Sequence, residues 1–114
     1  MNDDDLVAAL KAVAHPVRLR ILQTLSGAER NVGEIDDAAE IGQPTLSQQL
    51  AVLRGAGLVA TRKDAKLVYY RIDETKLGHV IAALAQFAGE AVGSEAPVRR
   101  RTSAPGVANF AQLG

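Results

Sequence analysis

The chain has no cysteine, which excludes disulfide frameworks, cysteine-ligated zinc, iron–sulfur clusters, thiol nucleophiles and thiol redox switches together. It has two histidines, His15 and His79, too few for an imidazole-based metal site in the absence of thiolates. No apolar run approaches the ~18 residues of a membrane span. The start Met1, Asn2, Asp3, Asp4, Asp5 is acidic where a secretory signal would be basic, so a cytoplasmic location with no membrane partner is expected. Also missing is any grouping of nucleophile, base and orienting residue, or a glycine-rich phosphate loop; an enzyme is not expected, and neither is a cofactor.

Net charge is lacking as well, with 13 basic residues against 13 acidic. The balance is uneven along the chain. Residues 1–42 hold 4 basic and 8 acidic side chains, whereas residues 43–72 hold 5 basic and 1 acidic. A local positive face attracts phosphate regardless of the total, because charge is felt over a Debye length of ~10 Å. What is present in quantity is apolar residue, 47% of 114, sufficient for one globular domain with a core.

Leu6, Val7, Leu10, Val13 and Ala14 recur at helical spacing behind three aspartates that suit a helix N-terminus. His15–Pro16 interrupts that helix and opens a second, about Pro16–Ser26, with Val17, Ile21, Leu22 and Leu25 inward and Gly27 as its stop. Asn31 with Glu34 forms a capping-box pattern for a short third helix, Val32, Ile35, Ala38 and Ala39 inward, ending at Gly42. Pro44 occupies a first-turn position, and Leu46, Leu50 and Leu53 follow at i, i+4, i+7 until Gly55 and Gly57. Two short helices joined by a tight turn are the helix-turn-helix pattern.

From Leu58 the period becomes two. Leu58–Lys63 and Lys66–Ile72 read as a hairpin turning at Asp64–Ala65, a weak turn because alanine resists positive φ. Asp73 or Thr75 opens a last helix with Leu77, Val80, Ile81, Leu84, Phe87, Ala88 and Ala91 on one stripe. The expected architecture is mainly α with a β-hairpin wing, in the order α-α-α-α-β-β-α. Residues 1–92 form the domain, and 93–114, rich in Gly, Pro and Arg, form a tail.

Three strings in this order carry a family resemblance. His15-Pro16-Val17-Arg18-Leu19-Arg20-Ile21-Leu22 resembles the entry to the second helix of the ArsR/SmtB repressors. Gln43-Pro44-Thr45-Leu46-Ser47-Gln48-Gln49-Leu50, with Val52-Leu53-Arg54 and Ala56-Gly57-Leu58-Val59, resembles their recognition helix and its exit. Arg62-Lys63-Asp64-Ala65 and Val68-Tyr69-Tyr70-Arg71-Ile72 resemble their wing. The resemblance spans about residues 6–91 and implies a winged helix-turn-helix repressor, similar to the haemolysin, nodulation and sulfide-responsive branch. The sulfur sensors of that branch carry cysteines where this chain has Leu22-Gln23-Thr24 and Phe87-Ala88-Gly89, so no dithiol switch operates here. The family's zinc-type site also has no counterpart, since only Asp73, His79 and Glu90 stand near it and their spacing does not match.

With the three leucines buried, Gln48 lies opposite them and Thr45, Ser47 and Gln49 flank it; together with Gln43 these are the expected base-reading residues. Arg54, Arg62, Lys63, Lys66 and Arg71 are the expected phosphate contacts, with solvated surface as the plainer alternative. Tyr69 and Tyr70 read as hairpin packing. Leu6, Leu10, Leu77, Val80, Ile81, Leu84 and Phe87 are the expected homodimer interface through the first and last helices. The partner expected is double-stranded operator DNA, with an inducer, if any, that is an unknown small molecule; the alternative is a winged-helix protein-interaction module that binds no DNA.

Overall fold

The computed structural model describes residues 1–89. The expected tail, 93–114, lies outside the described residues, as do Glu90 and Ala91. The chain divides into two units, 1–81 and 82–114, and the described part of the second is the end of the last helix. The elements are α1 (Asp3–Val13), α2 (Pro16–Thr24), β1 (Arg30–Asn31), α3 (Val32–Ala39), α4 (Thr45–Gly55), β2 (Val59–Asp64), β3 (Leu67–Ile72) and α5 (Glu74–Ala88). This is the winged helix-turn-helix, with one strand more than the sequence pattern suggests.

Each helix begins where a side chain or a proline accommodates unpaired amides. Asn2 accepts from Asp5 N at 2.8 Å with three aspartates in the first turn of α1. His15 Nδ1 accepts from Val17 N at 3.2 Å and Pro16 fills the first position of α2. The Asn31–Glu34 capping box is present in both directions, at 2.9 and 3.0 Å. Asp73, rather than Thr75, opens α5 by accepting from Lys76 N at 3.0 Å.

The core joins Ala9 and Ala12 of α1, Ile21, Leu22 and Leu25 around α2, Ile35 of α3, Leu46, Leu50 and Leu53 of α4, Leu58, Val59 and Val80. On α1 the fully buried positions are thus alanines. Leu6, Leu10 and Val13 pack at the rim, while Val7 and Ala14, expected inside, are exposed, because small residues let α1 approach its neighbours closely. Ala38 is likewise exposed: α3 buries Ile35 and Ala39, packs Val32 against the core from its first turn, and stops at Ala39, three residues before Gly42. Glu40 takes the left-handed conformation there (φ 56°). The turn is held by Asp36, whose Oδ1 accepts from Ile41 N at 3.1 Å and Gly42 N at 2.8 Å, an anchorage that offsets the ~1–2 kcal/mol a non-glycine residue costs in that region.

The sheet is antiparallel in the order β1-β3-β2. Arg30 pairs with Tyr70 and Asn31 with Tyr69, while β2 and β3 run in register from Val59–Ile72 to Asp64–Leu67. The hairpin therefore turns at Ala65–Lys66, one residue later than expected, and Ala65 adopts φ 55°. Tyr70 and Ile72 pack on the core.

Candidate nucleic-acid interface

Helix α4 is anchored by burial on one side only. Leu46, Leu50 and Leu53 are at most 1% exposed, each contributing roughly 1.5–3 kcal/mol of burial, and on the far side Thr45, Ser47, Gln48, Ala51 and Val52 face solvent. Gln48 carries a donor and an acceptor on one amide, the pair that matches adenine in the major groove, and Thr45 and Ser47 add hydroxyls. Val52, one turn after Gln48, adds an exposed apolar surface suited to a thymine methyl. Sequence reasoning passed over it, although its place off the leucine stripe was readable. Gln43 is exposed, and its Oε1 accepts from Ser47 N at 3.1 Å, so its carbonyl caps α4 and its amide nitrogen is left for a partner.

Gln49 occupies a different position from the one expected. It is half-buried and its Oε1 accepts from Arg18 Nη1 at 2.8 Å. The same guanidinium donates to Ala12 O at 2.7 Å and Lys11 O at 3.3 Å, so Arg18 binds the carbonyl end of α1 to the middle of α4. Gln49 thus holds the helix in place and turns away from the outward row. Arg18 was missed because its partner stands 31 residues away, beyond any local pattern.

On the wing, Lys63 and Lys66 are exposed and have no ion-pair partner among the described residues; Arg54 and Arg71 are exposed as well. Arg62 is exposed but engaged. Its Nε and Nη2 donate to Glu29 at 2.7–3.1 Å, its Nη1 lies 3.8 Å from Asp64, and its guanidinium carbon stands 4.8 Å from the Tyr69 ring centroid. The hydrogen bonds and charge of Arg62, with Arg71 nearby, hold the Glu29 carboxyl below the ordinary glutamate range, against some desolvation. The same bond with Glu29 raises the Arg62 guanidinium. Glu29 also lines an open cleft of about 620 Å³, together with Leu25, Arg71 and Asp73 among others.

Among the residues expected at a dimer interface, Val80 is 3% exposed and belongs to the chain's own core, and Leu6, Leu10 and Leu77 pack against that core. Ile81 (55%), Leu84 (37%) and Phe87 (82%) are exposed. Among the described residues no cluster of three metal-binding side chains occurs, and no helix is long and apolar enough to cross a membrane.

A buried-on-one-side helix with an outward polar row, preceded by a tight turn and followed by a basic hairpin, defines a winged helix-turn-helix DNA-binding regulator. The chain belongs to the ArsR/SmtB family of helix-turn-helix transcriptional regulators. A profile of the helix-turn-helix domain matches residues 13–62. The biofilm growth-associated repressor of Agrobacterium fabrum is 49% identical over 80 residues, covering 70% of this chain and 68% of that protein. The transcriptional activator HlyU of Vibrio cholerae is 43% identical over 83 residues, covering 73% and 77%. The crystal structure of the repressor BigR from Xylella fastidiosa superposes with a TM-score of 0.61 at 44% identity, covering 74% of this chain and 86% of that one.

Proposed function

We propose that the protein is a homodimeric repressor that reads an inverted-repeat operator with α4 and the wing and acts by blocking polymerase. The observation that carries this is the outward row Thr45, Ser47 and Gln48 opposite three fully buried leucines. Such a helix has polar groups to offer base edges and no freedom to turn them away. Lys63, Lys66 and Arg54 supply phosphate contacts that set register. Dimerisation through the first and last helices is supported by Ile81, Leu84 and Phe87, large apolar side chains exposed on α5. A two-fold dimer sets its recognition helices about one turn of DNA (~34 Å) apart. The family includes members named for repression and for activation; repression is the simpler action, since a dimer seated on its operator occludes polymerase by occupancy alone.

The protein works in the cytoplasm without catalysis, and any inducer is a small molecule that needs neither thiol nor metal. Fluorescence anisotropy with a duplex from the gene's own promoter, repeated from low to high salt, tests the reading. The expected result is tight binding that falls linearly in log–log form with salt and exceeds random-sequence binding by at least about 10³. Sedimentation should give twice the chain mass. A monomer, or equal affinity for promoter and random duplexes, would overturn the proposal, and capture of a protein partner with no DNA binding would favour an interaction module.

A further inference from the structure

The register of the sheet places Ala60, Arg62 and Asp64 of β2 on one face with Tyr69 and Arg71 of β3, the face opposite the core-packing Tyr70. Glu29, just before β1, reaches this face and meets Arg62 across β3. The contact occupies the Nε–Nη2 edge of the guanidinium, both nitrogens converging on Oε1 and Nε also reaching Oε2, and that edge is one arginine also offers to phosphate. A phosphate arriving by that edge must displace Glu29. One arriving end-on meets the Asp64 carboxylate, 3.8 Å from Nη1. With two carboxylates around one cation, the Arg62 locality offers no net positive charge in the free protein, while Lys63, on the other face, and Lys66 at the turn remain unpaired among the described residues.

We infer that Glu29 is an internal stand-in for a DNA phosphate, competing for the Nε–Nη2 edge of Arg62 and so lowering the affinity of the wing for the DNA backbone. The inference rests on the DNA-binding reading above and adds to it a residue outside both the recognition helix and the wing that sets how strongly the wing binds. Its chemistry is sequence-independent, because phosphates carry no base information. Glu29 therefore tunes promoter and random duplexes alike. The depressed Glu29 carboxyl agrees with the geometry: the pair is formed in the free protein and stays ionised in the neutral range.

The test uses the full-length protein and a fluorescein-labelled random-sequence duplex of about 30 base pairs, at one salt concentration. Glu29→Gln keeps the shape and removes the charge, and should bind about two- to fivefold more tightly, the factor an exposed ion pair is worth. Arg62→Gln should change binding by less than about twofold in the wild-type background but cancel the gain in the Glu29→Gln background, a coupling that a double-mutant cycle isolates. Independently, a carboxyl NMR titration of Glu29 should move toward the ordinary glutamate range when the duplex is added, because the phosphate takes its partner. Binding unchanged or weakened by Glu29→Gln would overturn the competition and make Glu29 a support for Arg62. A Glu29 titration indifferent to the duplex would overturn it as well. Wild-type protein that binds no duplex at all would instead defeat the underlying reading of the function, and with it this inference.

Discussion

In the proposed function, helix α4 and the wing would solve the same problem, presenting polar groups to DNA, by opposite physical means. Helix α4 is held chiefly by packing: three leucines at most 1% exposed, with a brace donated by Arg18 to Gln49 and a capping bond donated by Ser47 N to Gln43. Its outward residues carry no charge until Arg54 in the last turn. The wing has a backbone ladder and packing at its base through Tyr70 and Ile72, while toward the turn its side chains are exposed and its contacts are ionic. Base reading demands fixed geometry, since a hydrogen bond weakens steeply with misalignment, and packing supplies that. Phosphate contact demands only charge within reach, which an exposed ribbon provides at little structural cost.

If packing is what makes α4 a reader, the largest effect should come from its anchor. Leu50→Ala should lower unfolding free energy by about 2–5 kcal/mol, seen as a lower midpoint in urea at constant slope. The same truncation on the wing, Leu67→Ala, should cost far less because Leu67 is 48% exposed. Equal losses at the two sites would break the comparison. Next comes the reader itself: Gln48→Ala should cost about 1–3 kcal/mol on the operator and almost nothing on random duplex, measured by competition anisotropy. Loss of the same size on both duplexes would move Gln48 from base reading to backbone contact.

The wing answers with charge. Lys63→Gln with Lys66→Gln should lower the log–log salt slope by about two, near 0.9 per phosphate, which is roughly tenfold in affinity across a fourfold change in salt. The loss should be the same for operator and random duplexes. An unchanged slope would show that the wing does not touch the DNA backbone, leaving α4 as the sole contact.

What could be read in the sequence divides along the same line. The leucine stripe of α4 and the Asn31–Glu34 box are local patterns within one or two helical turns and occur as written, and of the two caps the sequence offers for α5 the fold uses Asp73. The pairs that tie elements together are invisible to periodicity: Arg18 with Gln49 is separated by 31 residues and Arg62 with Glu29 by 33. Gln49 and Arg62 carry the right chemistry for DNA contact, and only the fold shows that each already has a partner. Strand β1 escaped notice because two residues, Arg30 and Asn31, have no period to display. Val80 was assigned to a dimer seam because one stripe on α5 contains both core and exposed positions, and spacing alone does not separate them.

The smallest effect sharpens the comparison at the wing turn. Ala65 is the first of two turn residues and adopts φ 55°, with Lys66 following at negative φ. That sign pattern matches a type II′ turn, which favours glycine at its first central position because a Cβ there crowds the neighbouring carbonyl. The strain on alanine is about 1–2 kcal/mol, whereas glycine gives back about 0.4–1 kcal/mol through the greater freedom of the unfolded chain. Ala65→Gly should therefore stabilise the protein by about 0.5 kcal/mol, a rise in Tm of roughly 2–4 °C for a domain this small. Because the substitution leaves every charge in place, the salt slope should not change. A raised Tm with an unaltered slope would confirm that the wing contributes charge with little demand on shape. A raised Tm with weaker binding would show that the strained turn aims Lys66, and that the wing too depends on fixed geometry.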